Sequence, residues 1–178
     1  MKTSIKLLAL GTILMGFGLN VNAQGTANAV ATGELVNALS ISNTRGLNFG
    51  RIVVGTAGTV VVAGVSASTR SGVGQTFASG APTSASFIIS GAVDDHYKVT
   101  LPASFTVTCA ATAETMNITS FSCDVATADN SVTGETASGV LAATTRTFYV
   151  GGTLTIGAAN KVGVYTNATG FPVTLARE

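Results

Sequence analysis

From Leu35 onward the apolar residues of this chain recur in short runs that alternate with polar ones, and nowhere with the spacing of a helix face. Leu35, Leu39 and Ile41 share one parity. Leu47-Asn48-Phe49-Gly50 opens a second run that continues through Ile52 to Val54. Thr59 to Val62 is continuously β-branched, as a strand in the middle of a packed sheet would be. Ala85, Phe87 and Ile89 alternate, as do Tyr97, Val99 and Leu101, halted by Pro102, and then Phe105, Val107 and Cys109. Met116–Cys123, Thr147–Val150, Thr153–Ile156 and Val164–Leu175 complete the series. Val, Ile, Thr and Phe dominate the runs, and Gly, Ser, Asn and Asp separate them. About ten short strands at near-regular spacing predict an all-β sandwich rather than a parallel sheet with crossover helices.

Two stretches do not follow this pattern. Ser66–Pro82 and Ala126–Ser138 are rich in Ser, Gly and Thr and read as long surface loops, a length usually reserved for function or mobility. Neither has the composition of a domain linker, and no internal repeat is present.

The N-terminus sets the compartment. Lys2 and Lys6 precede an uncharged apolar stretch, Leu7–Leu19, too short to cross a bilayer, and Val21-Asn22-Ala23 offers small residues at a signal-peptidase cut. Residues 1–23 are therefore expected to be a cleaved signal peptide, leaving Gln24 at the mature N-terminus and no membrane span. Losing Lys2 and Lys6 takes the formal charge from +1 to about −1, which gives no electrostatic basis for binding nucleic acid. Charged residues are 10% of the chain against about 25% in ordinary soluble domains, so little keeps neighbouring copies apart. In an oxidising compartment Cys109 and Cys123 are expected to form a disulfide worth about 3 kcal/mol. A tight hairpin between Phe105–Cys109 and Met116–Cys123 would oppose that expectation, because Cys109 would then face Met116 rather than Cys123.

Little chemistry is available. The single histidine lies in Asp94-Asp95-His96-Tyr97, good composition for a turn entering a strand and a weak basis for a metal site or catalytic base. There is no G-x-S-x-G nucleophile elbow, Asp124 and Asp129 lack the ligand pattern of a calcium loop, and Ser71-Gly72-Val73-Gly74 lacks the third glycine of a dinucleotide fingerprint. The chain has no Trp to offer a sugar-stacking platform. No enzymatic activity and no cofactor are expected.

Several segments in order resemble the DUF4402 family of small exported bacterial proteins: Leu47-Asn48-Phe49-Gly50-Arg51-Ile52, Phe87-Ile88-Ile89-Ser90-Gly91, Tyr97-Lys98-Val99-Thr100-Leu101-Pro102, Val150-Gly151-Gly152-Thr153-Leu154, Gly163-Val164-Tyr165-Thr166-Asn167 and Phe171-Pro172-Val173-Thr174-Leu175. The two ends are also similar to spore-coat-U and Csu-type pilins of chaperone–usher systems. That second resemblance implies an immunoglobulin-like sandwich with an incomplete edge, completed by an N-terminal arm from the next subunit, with a periplasmic chaperone and an outer-membrane usher as partners. It places the arm at residues 24–33, with Ala27, Ala29 and Ala31 on one parity and Val30 on the other, ahead of a sandwich over 34–178. Phe171, Val173 and Leu175 would line the assembly groove. The function expected is a non-enzymatic structural subunit of a bacterial surface filament or layer, acting at the periplasm, cell surface or beyond with copies of itself or related subunits. The rival is a solitary secreted binding module that uses the two long loops.

Overall fold

The computed structural model describes residues 25–53, 55–125 and 136–178. The expected signal peptide, residues 24 and 54, and most of the expected Ala126–Ser138 loop lie outside these. The chain divides into Met1–Leu35 and Val36–Glu178. In the first unit, residues 25–35 carry no regular secondary structure and every one is exposed.

Among the described residues the regular structure of the second unit is strand alone: β1 (Ser40–Arg45), β2 (Ile52–Val53), β3 (Gly58–Val62), β4 (Arg70–Val73), β5 (Thr76–Phe77), β6 (Ala85–Ser90), β7 (His96–Thr100), β8 (Ser104–Cys109), β9 (Thr115–Cys123), β10 (Thr136–Val140), β11 (Thr145–Ile156), β12 (Tyr165–Thr166) and β13 (Thr174–Arg177). The large layer runs β1-β6-β11-β9-β8-β12, with β3 added to β11 and β4 to β3. The other layer is discontinuous, a sheet β10-β7-β13 and a separate pair β2-β5. Both contribute to one core, in which Phe87, Phe148, Val60 and Ile118 of the large layer share a cluster with Tyr97 and Val99 of β7. This is a β-sandwich.

β11 organises the large layer. Its first half pairs with β6 (Phe148↔Phe87) and its second half with β3 (Leu154↔Val60), while β9 follows its other edge. The sequence reading made two strands of this stretch. They are one, because Gly151-Gly152 lets the backbone of β3 close in where the partner changes. In β9 a bulge lies opposite Gly151–Thr153, with Ser120 at a φ of 48°, so the buried parity changes from Ile118 to Phe121 and Cys123.

Three further expectations are corrected. Ser66–Pro82 is not a free loop: it holds β4 and β5, with β4 paired to β3 over Thr59↔Val73 to Val62↔Arg70. Polar composition hid these strands because their outward faces are exposed. The end of the second expected loop is β10, paired with β7. The Cys109–Cys123 disulfide does not form within one copy. β8 and β9 are a hairpin (Thr108↔Thr115), and both thiols are buried and free. Cys109 lies at its turn and Cys123 at the far end of β9, on the order of 25 Å along the strand, far beyond the roughly 7 Å a disulfide spans between α-carbons.

Candidate functional site

The break in the second layer leaves part of the large sheet only partly covered, with Phe105, Val107 and Met116 half-buried and Ile118, Leu154 and Ile156 buried beside them. Phe105 and Val107 of β8, Met116 and Ile118 of β9, and Leu154 and Ile156 of β11 form the floor of a groove of about 920 Å³. Strand alternation puts these six side chains on one face, and the β8–β9 register sets Phe105 opposite Ile118 and Val107 opposite Met116. Phe171 closes one end, its ring 6.0 Å from Phe105, 5.0 Å from Phe121 and 6.2 Å from Phe87.

The two walls are the Gly46–Val53 segment and the Asn160–Phe171 segment. The first is tied to Thr83 by paired backbone hydrogen bonds, Asn48 N to Thr83 O and Thr83 N to Asn48 O, both 2.8 Å. Its turn at Gly50, with a φ of 73°, is fixed by Gly50 N donating to Asn48 Oδ1 at 2.8 Å. Arg70 braces it from behind, donating from Nη1 to Phe49 O at 2.7 Å, with its guanidinium 4.1 Å from the centre of the Phe77 ring.

Glu114, in the β8–β9 turn, anchors the second wall. Its Oε2 accepts from Lys161 N at 2.7 Å and from the Tyr165 hydroxyl at 2.9 Å, and its Oε1 lies 3.4 Å from Lys161 Nζ. The Lys161 amide, above all, holds the Glu114 carboxyl below its usual range. Asn167 Nδ2 adds a bond to Thr106 O at 3.1 Å. Val162 (82% exposed) and Val164 (79%) stand on this rim, bare of any cover.

Among the described residues no backbone bond joins one wall to the other. Among the described residues β2, in the first wall, pairs only with β5, and β12, in the second, only with β8, so each leaves one edge free; β13, paired with β7, lies beyond Phe171. The site is thus an apolar trough between two segments whose strands have unused hydrogen-bonding edges, a shape suited to an extended peptide. The family model described as a domain of unknown function, DUF4402, matches residues 39–176, which span both walls and the whole floor. The chain belongs to the DUF4402 family. Comparison with curated proteins and with solved structures gives no match.

Of the residues singled out in the sequence, Phe171 lines the groove of this DUF4402 domain, whereas Val173 and Leu175 are half-buried against the core beyond it. Ala27, Ala29, Val30 and Ala31 are all exposed, Val30 at 92%. Leu35 (103%) and Val36 (62%) are exposed as well. His96 is exposed at the start of β7, and among the described residues no cluster of three or more His, Cys, Asp or Glu side chains could hold a metal.

Sequence reasoning placed the six floor residues on strands but did not see them as a site, since a partly covered core face and a fully covered one have the same alternation. Arg70 and Glu114, which hold the walls, carry no motif that would have marked them.

Proposed function

We propose that this protein is a non-enzymatic structural subunit of a bacterial surface filament or surface layer, exported through its N-terminal leader. Copies join when an extended arm of one adds to the open second layer of another. The single observation that carries this reading is the partly covered apolar floor of an open groove between two free strand edges. An apolar trough of this kind is costly to leave in water, and a strand laid in it gains main-chain hydrogen bonds together with burial.

The arm of a second copy is the occupant favoured by the chain itself. Residues 25–36 expose Val30, Leu35 and Val36, and Glu34 is their only charge. On the odd parity Ala27, Ala29, Ala31 and Leu35 form an apolar row, small enough for a trough already partly filled by the Phe87–Phe105–Phe121–Phe171 cluster. The charged residues lining the groove are Arg51 and Lys161, both cationic, and Arg51 makes no ion pair among the described residues. Glu34 therefore has a complementary rim to meet. The likeness of both chain ends to chaperone–usher pilins points the same way, with a chaperone covering the trough before assembly.

The test is electron microscopy and unboiled detergent electrophoresis of the purified mature chain. Fibres or a heat-sensitive ladder, both lost on deleting residues 24–33, are the expected result. A sharp monomer at high concentration, indifferent to that deletion, would replace this reading with a solitary binding module whose groove takes a small apolar ligand. Its volume lies in the range of about 300–1,000 Å³ typical of such sites.

A further inference from the structure

The segment that closes the groove at Phe171 runs on as β13 to Arg177, roughly 20 Å further along an extended chain. Arg177 grips Asp95 with both guanidinium nitrogens, Nη1 on Oδ1 and Nη2 on Oδ2, the latter at 3.1 Å. Asp95 is itself fixed: its Oδ2 accepts from Ala92 N at 2.8 Å, its backbone oxygen accepts from Leu141 N at 3.0 Å, and its side chain is 9% exposed. The same Nη2 donates to Asn37 O at 2.7 Å. Among the described residues this is the one hydrogen bond holding the backbone of residues 36–39, the stretch through which the arm leaves the sandwich. Leu39 follows, packed where Gly91 leaves no room for a Cβ.

We infer that β13 couples the two assembly surfaces of one copy, so that filling its groove orders the base of its own arm. This rests on the strand-addition reading above. A strand lying against Phe171 and along the free edge of β13 restricts residues 171–177. Arg177, at the far end of that rod, then restrains Asn37. Each subunit added at the groove thus leaves the arm better ordered for the next, and by linkage an engaged arm tightens the groove by the same factor. The effect needs no change of fold, since ordering shared between two sites is itself a source of cooperativity.

Hydrogen exchange on the mature protein, held monomeric by dilution, with and without a synthetic peptide of residues 24–36, tests the coupling. In the wild type the peptide slows exchange at 46–53 and 171–177, and also at 37–39 by about tenfold, within the span of about 5–150 usual for coupled sites. In Arg177→Gln the slowing at 46–53 and 171–177 persists and that at 37–39 is lost. Arg177→Lys, which keeps the charge but cannot bridge both partners, lies between and serves if the glutamine variant does not fold. Slowing at 37–39 that survives in both variants, or that is missing in the wild type while 46–53 is protected, overturns the coupling alone. A peptide that protects neither wall overturns strand addition and the coupling with it.

Discussion

Gly151 lies against the carbonyl oxygen of Val62, so close that a Cβ there would penetrate the backbone of β3. The contact sits where β11 exchanges β6 for β3, so the whole width of the large layer depends on it. Gly151→Val is expected to lower stability by at least about 1–3 kcal/mol, because it overpacks a backbone that cannot retreat. Gly33→Ala, with open space around it, leaves stability unchanged. Urea midpoints of the two variants against the wild type provide the check.

Cys109 and Cys123 are separated by the length of a strand and remain thiols. Unfolding the protein without reductant and alkylating it therefore adds two labels per chain, and reductant leaves the melting temperature where it was. Before unfolding, Cys123 is expected to label slowly, since it is fully buried and that burial pushes its thiol pKa up. Intact-mass analysis distinguishes this from a bridged pair, which takes up no label.

Stability should fall on acidification, in a window set by named carboxylates. The Ala92 amide, and then Arg177, hold Asp95 below its ordinary 3.8, and the Lys161 amide and Tyr165 hold Glu114 below its ordinary 4.5. Both carboxylates contribute fully above those ordinary values and lose their contribution as the pH drops through the depressed ones. Asp124 has the opposite sign. Burial raises its pKa, so its ionised form costs stability at neutral pH and its protonation partly offsets the loss. Asp95→Asn is expected to flatten the acid limb of the melting-temperature profile, and Asp124→Asn to steepen it.

Assembly should respond to the charges at the groove rim. Glu34→Lys is expected to weaken it severalfold, in keeping with about 0.2–1 kcal/mol for an exposed pair, and Arg51→Glu added to Glu34→Lys restores it. Light scattering at low and high salt reads this, with the difference shrinking as salt rises. Equal losses in the single and double variants would remove Arg51 as the partner.

The floor itself gives the strongest effect. Met116→Glu places a charge on a half-buried face that must lose its water when an arm is laid over it. The variant is expected to stay folded by circular dichroism and to form no fibres. Fibres indistinguishable from wild type would exclude this face from assembly.

Strand after strand was legible in the chain because alternation is a local property: Ala85-Phe87-Ile89 and Tyr97-Val99-Leu101 need only a pleat and one wet side to declare themselves. β4, β5 and β10 were not, since Arg70–Val73 and Thr136–Val140 expose most of their residues and are held by ladder bonds rather than by an apolar face. The Gly151-Gly152 pair read as a break for the same reason. Nothing local distinguishes a turn from a place where another backbone comes close.

By itself, the order of residues determined the two-layer β architecture and the low charge density of the chain. Tertiary structure alone decided that the cysteines stand apart, that β2 and β12 do not meet, and that the apolar floor between them is only partly covered, with Phe105, Val107 and Met116 half-buried. Burial and pairing depend on which distant segments arrive at a face, and an alternating strand carries the same pattern whether or not its cover is present.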